Sequence, residues 1–318
     1  MFKLRDLDLS SKLKFILRKQ KKYVGIEVDK DFCRVAILQK EIDSISFPIL
    51  PFEFEIVKDE DQSGRILREE IESKGLTIKH ANFSVPISET LFKNLKIPKA
   101  QDKELREAIE WNLREELGNP EVSTVYDYAV LAEEDGFFYL VIVITKSDMI
   151  NRIFSIGEAA GIQPIVIDSV GISLINLALL QRDKVESHSK ENNICIIHLD
   201  KNECYMLFSK DAITLQPLDF NIERYEQMSP DDKEREVIRL IEEINYFFLA
   251  INEPRIIYTS GFFVKYPEIK AYMQLRFGSR FFLEDLDPAI ALGMDYRSSF
   301  PLQIFATPIS LAYRGIEE

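Results

Sequence analysis

Residues 23–38 read YVGIEVDKDFCRVAIL, and residues 194–208 read ICIIHLDKNECYMLF. Each is an apolar run, a tight polar turn and a second apolar run, the pattern of a strand that returns antiparallel on itself. Aligned on the turns, Val28-Asp29-Lys30-Asp31-Phe32-Cys33 meets Leu199-Asp200-Lys201-Asn202-Glu203-Cys204. Each hairpin is succeeded by the same series, a third β-like run, a long helix and a further strand, so the chain reads as a duplication. In the first half the helix is expected at about 64–74 and the strand at 81–86. In the second, Ser229 is the expected N-cap and Pro230 the first helical residue. Val237, Leu240, Ile241, Ile244, Phe248 and Ile251 then form an apolar stripe at helical spacing. A strand at 255–260 and a helix at 268–277 complete the alternation, and both halves are α/β.

The first half carries material that the second lacks: a strand at 91–97, a helix at 102–117, strands at 126–131 and 137–145, a helix at 148–160 and a strand at 163–168. Gly161 followed by Pro164 reads as a left-handed cap and stop. The polar stretch 182–193 (RDKVESHSKENN) marks the crossing between halves. The predicted organisation is a basic leader at 1–22, a first half at 23–181 with an inserted α+β subdomain at about 88–168, and a linker at 182–193. A second half at 194–300 and a C-terminal helix at 301–318, packed back on the first half, complete it.

Composition narrows the classes. A chain of 318 residues is too long for one ordinary core, and its 46% apolar and 29% charged residues are those of a folded globular protein, not a disordered or fibrous one. No apolar run approaches the roughly 20 residues of a membrane span, and the longest, 139–144, is one buried strand in size. With no cleavable signal pattern either, a cytoplasmic chain is expected. Residues 1–22 hold eight Lys or Arg against Asp6 and Asp8, so the rest of a chain at −13 overall carries −19. Such an acidic body argues against nucleic acid as a partner. The leader, with Leu9, Leu13, Phe15, Ile16 and Leu17, leaves two readings: peripheral contact with an anionic membrane, or a solvated tail. Cys33, Cys195 and Cys204, and His80, His188 and His198, show neither disulfide nor zinc spacing.

A duplicated hairpin opening each half, with the turns facing a shared cleft, resembles the duplicated fold of the actin, Hsp70 and sugar-kinase superfamily. More narrowly the chain is similar to the PilM-like actin-like proteins of type IV pilus assembly and to the related cytoplasmic domain of GspL in type II secretion. The residues that carry this include Val24-Gly25-Ile26, Leu95-Lys96-Ile97-Pro98-Lys99 and Glu107-Ala108-Ile109-Glu110-Trp111. Further on come GEAAGIQP at 157–164, Val166-Ile167-Asp168-Ser169, Glu242-Glu243-Ile244, Thr259-Ser260-Gly261 and ISLAYRG at 309–315. The resemblance implies a duplicated, ribonuclease-H-like α/β fold, with the insertion as the extra subdomain of this branch.

The superfamily implies a nucleotide between the hairpin turns, held through glycine-bearing patterns whose backbone amides reach phosphate oxygens. Here the matching triplets are Glu27-Val28-Asp29 and His198-Leu199-Asp200, with Asp where glycine is expected. A carboxylate there adds bulk and a repulsion of about 1–4 kcal/mol per charge pair. Two readings remain for these acids: turn stabilisation, or a Mg²⁺ ion held by Asp29, Asp31 or Asp200 that rescues ATP binding. The adenosine part departs as well, with Gly261-Phe262 for a glycine pair and Asn245, Tyr246 and Phe247 after Glu243-Ile244. Phe262 and Tyr246 either stack on a base or fill the emptied site, and filling is the expectation. Asp29, Asp31, Asp200, Asn202, Glu243 and Gly261 are thus candidates for a degenerate nucleotide site, and no catalysis is expected. The alternative is a working actin-like ATPase that binds Mg-ATP. A sugar or acetate kinase needs a catalytic carboxylate as well; Asp168 is a candidate base or, on the plainer reading, the cap of a helix from Val170.

For partners, Leu105, Ala108, Ile109, Asn112, Leu113 and Leu117 share one face of the inserted helix, and Trp111 projects away from it. Trp111 and Arg114, with Phe92 and Asn94 from the preceding strand, form a candidate groove; packing of Trp111 within its own half is the competing reading. The resemblance implies as partner a PilN-like single-span inner-membrane protein, its N-terminal cytoplasmic segment held between the inserted subdomain and its parent. Pilus motor or platform proteins follow as further partners, and the chain as a scaffold peripheral to the inner membrane.

Overall fold

The computed structural model describes residues 21–42, 44–114, 123–185, 193–210, 212–250 and 254–317. The leader at 1–20 and most of the predicted linker, 186–192, lie outside these residues.

Strands β1 (Lys22–Val28) and β2 (Phe32–Lys40) pair antiparallel through a turn at 29–31. Short strands β3 (Ile45–Ser46) and β4 (Phe52–Glu55) both pair with β2. Helix α1 (Glu60–Ser73), capped by Asp59, leads into β5 (His80–Val85), which lies parallel to β1. Then β6 (Thr90–Pro98), α2 (Asp102–Asn112), β7 (Thr124–Glu134) and β8 (Phe137–Lys146) build a separate antiparallel sheet of order β6-β8-β7. The chain returns through α3 (Ser147–Ala160), which ends at the left-handed cap Gly161, and β9 (Gln163–Ser169), parallel to β5.

Helix α4 (Val170–Lys184) crosses to the second half. There β10 (Ile194–Leu199), β11 (Cys204–Ser209) and β12 (Ile213–Pro217) repeat the antiparallel pattern. The short α5 (Ile222–Gln227) and long α6 (Pro230–Ala250) precede β13 (Ile256–Gly261), parallel to β10. Helix α7 (Pro267–Phe277), β14 (Phe282–Asp285), α8 (Pro288–Leu292) and α9 (Ala306–Glu317) follow. The second sheet, β12-β11-β10-β13-β14, matches β3-β2-β1-β5-β9 strand for strand. The strand order is therefore duplicated, as the hairpins suggest.

Apolar side chains form three clusters. Val24, Ile26 and Val28 on one face of β1 pack with Leu67 of α1 and Ile153 of α3. A larger cluster joins the opposite face of the first sheet to α4, α9 and the second half. A third lies between α2 (Leu105, Ile109) and the inserted sheet (Leu140, Ile142). The second cluster explains why α9 lies on the first half: Asn82 of β5 donates to the carbonyl of Leu311 at 2.8 Å.

The expected inserted unit at 88–168 is too wide. Its own sheet and core end with β8, whereas α3 packs on α1 and β9 is a strand of the parent sheet. Periodicity could not separate them, because α3 and β9 have the strand and helix patterns of either unit. The predicted linker also begins too early, since Arg182 to Lys184 still belong to α4.

Candidate functional site

The two hairpin turns are built alike. Asp29 N–H donates to Phe32 O at 3.0 Å and Asp200 N–H to Glu203 O at 2.9 Å. In each turn the next amide, that of Lys30 or Lys201, donates to the Asp carboxylate. The aspartates close the turns by local hydrogen bonding.

The turns do face each other, but not as two opposed carboxylates. Arg34, on β2 and missed in the sequence reading, reaches across from the first half. Its Nη1 donates to Asp200 Oδ2 at 2.6 Å and its Nη2 to Oδ1 at 2.7 Å, a two-pronged pair between halves. Its Nε donates to Glu53 at 2.7 Å, and Glu27 lies 3.4 Å from Nη1. The Arg34 side chain is 1% exposed and lies between the rings of Phe32, 4.3 Å from its Cζ, and Phe262, 5.7 Å away. Asn202 Nδ2 donates to Asp31 at 2.8 Å and Asp29 at 3.3 Å, and Lys201 pairs with Glu53, so further bonds join the halves.

Burial by itself would push the Asp200 carboxyl up, yet the guanidinium of Arg34 holds it well below the usual carboxylate range. Glu27, with the poorer share of the same guanidinium, is pushed by burial up to about 8, and burial raises Asp29 as well. Glu203, whose carboxylate accepts from Ser88 N–H at 3.2 Å, is pushed up to about 7 by burial. The cluster therefore holds its ionised Asp200 and Arg34 as a pair and keeps Glu27 protonated near neutrality.

The residues do not fit a nucleotide or its cation in this arrangement. The space bounded by Glu27, Asp29, His198, Asp200 and Glu203 has a volume of about 10 Å³, room for about one water. Each oxygen of Asp200 is already engaged, Oδ1 by Arg34 and Lys201 N–H, Oδ2 by Arg34 with His198 Nε2 at 3.5 Å. A Mg²⁺ ion shared by Asp29 and Asp200 would have to displace the guanidinium.

Gly261, at φ 73°, packs where a Cβ would lie 2.3 Å from Leu199 O, so its missing side chain serves the contact of β13 with β10. It delivers Phe262, buried, onto Arg34. Phe262 is buried beside Arg34, whereas Tyr246 is 77% exposed on α6. Glu243 accepts from Asp219 N–H at 3.3 Å and contacts neither turn. Nor does Asp168 cap α4: Ser169 does, its hydroxyl accepting from Gly171 N–H at 3.2 Å, while Asp168 pairs with Arg314 of α9.

The four candidate partner residues do not form one groove. Trp111 is 63% exposed with Arg114 3.3 Å over its ring, on the outer side of a helix whose inner face packs on the inserted sheet. Phe92 and Asn94 lie on the other side of that sheet, since successive strand residues alternate. Phe92 abuts Gly171 of α4, and Asn94 donates to Ile213 O and accepts from Ile213 N–H, both at 2.8 Å. These two residues fasten the insertion to the second half.

A different groove, of about 330 Å³, separates the insertion from its parent. One rim is β7 at 125–129, the other β9 at 166–169, and Val141, Val143, Ile150 and Ile172 line it between them. Among the described residues β7 pairs only with β8 and β9 only with β5, so each rim is a sheet edge. The Asp168–Arg314 pair stands at one end, and beyond it a second cavity of about 360 Å³ opens between α4 and α9. No sequence motif marks this groove.

No protein-family model and no curated protein sequence matches the chain. Solved structures do. A chain of a PilM-PilN type IV pilus biogenesis complex aligns with a TM-score of 0.76 at 15% identity, over 94% of this chain and all of that one. A protein of actin-like ATPase fold from Bacteroides thetaiotaomicron aligns at 0.48 with 10% identity, over 95% of this chain and 99% of that one. The cytoplasmic domain of EpsL, an inner-membrane component of the Vibrio cholerae type II secretion system, aligns at 0.45 with 7% identity, over 75% and 82%. The chain thus has a duplicated α/β fold with an inserted α+β sheet in its first half, and shares its fold with a chain of the PilM-PilN complex along nearly its whole length.

Proposed function

We propose that the chain is an adaptor of a type IV pilus or type II secretion platform, gripping an extended cytoplasmic segment of a PilN-like single-span inner-membrane protein without using nucleotide. The observation that carries this is the groove whose two rims are unpaired strand edges. Such edges offer a row of free N–H and C=O groups to an added strand, and the apolar floor supplies pockets for alternate side chains. The likeness in fold to a chain of a PilM-PilN complex supports the choice of partner. Filling of the interdomain cleft by Arg34 and Phe262 supports a degenerate nucleotide site, since peptide capture in the groove needs none of the cleft chemistry. The alternative, an ATPase that binds Mg-ATP, requires Arg34 to leave Asp200 and Phe262 to leave the cleft. Among the described residues no helix is long and apolar enough to cross a membrane, so an anchor on the partner suits the adaptor role.

The test is a calorimetric titration of the full chain with the partner's N-terminal peptide. Saturable binding is expected, lost in Val125→Glu at the rim of the groove and kept in Trp111→Ala. Binding lost in Trp111→Ala but kept in Val125→Glu would place the partner elsewhere.

A further inference from the structure

The leader emerges beside the groove. Its last described residues, Lys21 and Lys22, precede Tyr23, whose ring packs against the position of Gly315 on α9. The neighbouring residue Arg314 lines both cavities and pairs with Asp168 at their junction. Along the first sheet, β1 and β9 are separated only by β5, with Gly25, Asn82 and Val166 in line. From strand spacing and rise, Lys22 is roughly 14 Å from Val166, a gap spanned by about five extended residues. Twenty residues precede Lys21, ample to enter the groove and run its length.

The charges match. Residues 1–20 hold six Lys or Arg against two Asp, a balance of +4, with Leu9, Leu13, Phe15, Ile16 and Leu17 between them. The groove and the adjoining cavity are lined by Asp127, Asp168 and Asp183; Asp168 pairs with Arg314 and Asp183 with Arg182. Asp127, exposed on β7, is the one of the three that makes no ion pair with another described residue. The apolar floor of the groove suits the leader's apolar side chains, and the Asp127 carboxylate at the rim suits its lysines and arginines.

We infer that the leader is an internal occupant of the groove between β7 and β9, competing with the partner segment for the same edges. This rests on the reading of that groove as the partner site, and gives the site a built-in regulator. A tethered segment is present at millimolar effective concentration, so even a weak contact sets a threshold that a partner must exceed.

Hydrogen exchange on the full chain tests it with no partner present. Rim amides at 125–129 and 166–169 are expected to exchange about tenfold faster when Leu13, Phe15, Ile16 and Leu17 are all changed to Ser. Asp127→Lys, which leaves the leader intact, is expected to raise the same exchange, and 0.5 M salt to do so in wild type. Unchanged exchange at both rims in both variants would overturn the inference, as would a rise spread over the whole chain in the leader variant with none in Asp127→Lys. The partner peptide then separates the two ideas: tighter binding to the leader variant supports the regulator, and equal binding to both proteins with equal exchange removes it while leaving the partner site. Loss of rim protection in the variants with no peptide binding to any form would keep the internal occupant and remove the partner reading.

Discussion

Replacing Arg34 by Met tests whether the ion pair across the cleft holds the halves together. The substitution keeps much of the apolar stem between Phe32 and Phe262 and removes the guanidinium. It leaves Asp200, whose side chain is 6% exposed, with its charge buried and two hydrogen bonds of 2.6 and 2.7 Å gone. Breaking a buried pair from one side costs about 3–5 kcal/mol, a large part of the roughly 5–15 kcal/mol that holds a domain folded. Asp200→Asn keeps the oxygen that closes its turn and removes the charge. Because the second change relieves what the first exposes, the double variant is expected to be more stable than the sum of the singles by about 2 kcal/mol. Urea unfolding followed by circular dichroism gives all four free energies. An Arg34→Met cost under about 1 kcal/mol, or a coupling under about 0.5 kcal/mol, would refute the idea that this pair fastens the cleft.

Glu27 gives a pH test. Its pKa is raised to about 8 in the folded chain from 4.5, so the folded state keeps a proton that the unfolded chain gives up. The stability this confers is complete below about pH 4.5 and is lost as pH rises through about 8. Wild type is therefore expected to lose melting temperature between pH 5 and pH 8 and Glu27→Gln to flatten that fall; parallel curves would contradict it. Gly25→Ala places a Cβ 1.9 Å from Pro308 O and 2.7 Å from Ala312 N, pushing α9 off β1. A loss of about 2–4 kcal/mol or failure to fold is expected, measured by thermal unfolding. Trp111→Ala, at an exposed site, is expected to change stability by less than about 0.5 kcal/mol in the same assay.

The duplication was legible because its signal is local: two hairpins with matched turns, Asp29-Lys30-Asp31 and Asp200-Lys201-Asn202, and a long helix opened by Ser229 and Pro230. Ser229 does cap that helix, its hydroxyl accepting from Asp232 N–H at 3.3 Å. The meeting of the turns followed from symmetry, but the neutralising Arg34 did not. An arginine within FCRVAIL reads as a strand residue facing water, and only the tertiary arrangement brings three carboxylates to it. The grooves were legible only in part. Placing Trp111 opposite the apolar stripe of α2 was sound, yet strand alternation puts Phe92 and Asn94 on the far side of the sheet that α2 covers. The groove between β7 and β9 is made by two edges about 40 residues apart, and edges are a property of sheet order that no single strand announces.

The adaptor role is tested most directly by titrating the full chain with the partner's N-terminal peptide in the absence and presence of millimolar Mg-ATP. Saturable binding with the same affinity in both conditions, and no heat from Mg-ATP alone, is the predicted result. Peptide binding that appears only with Mg-ATP, or micromolar binding of Mg-ATP itself, would contradict it.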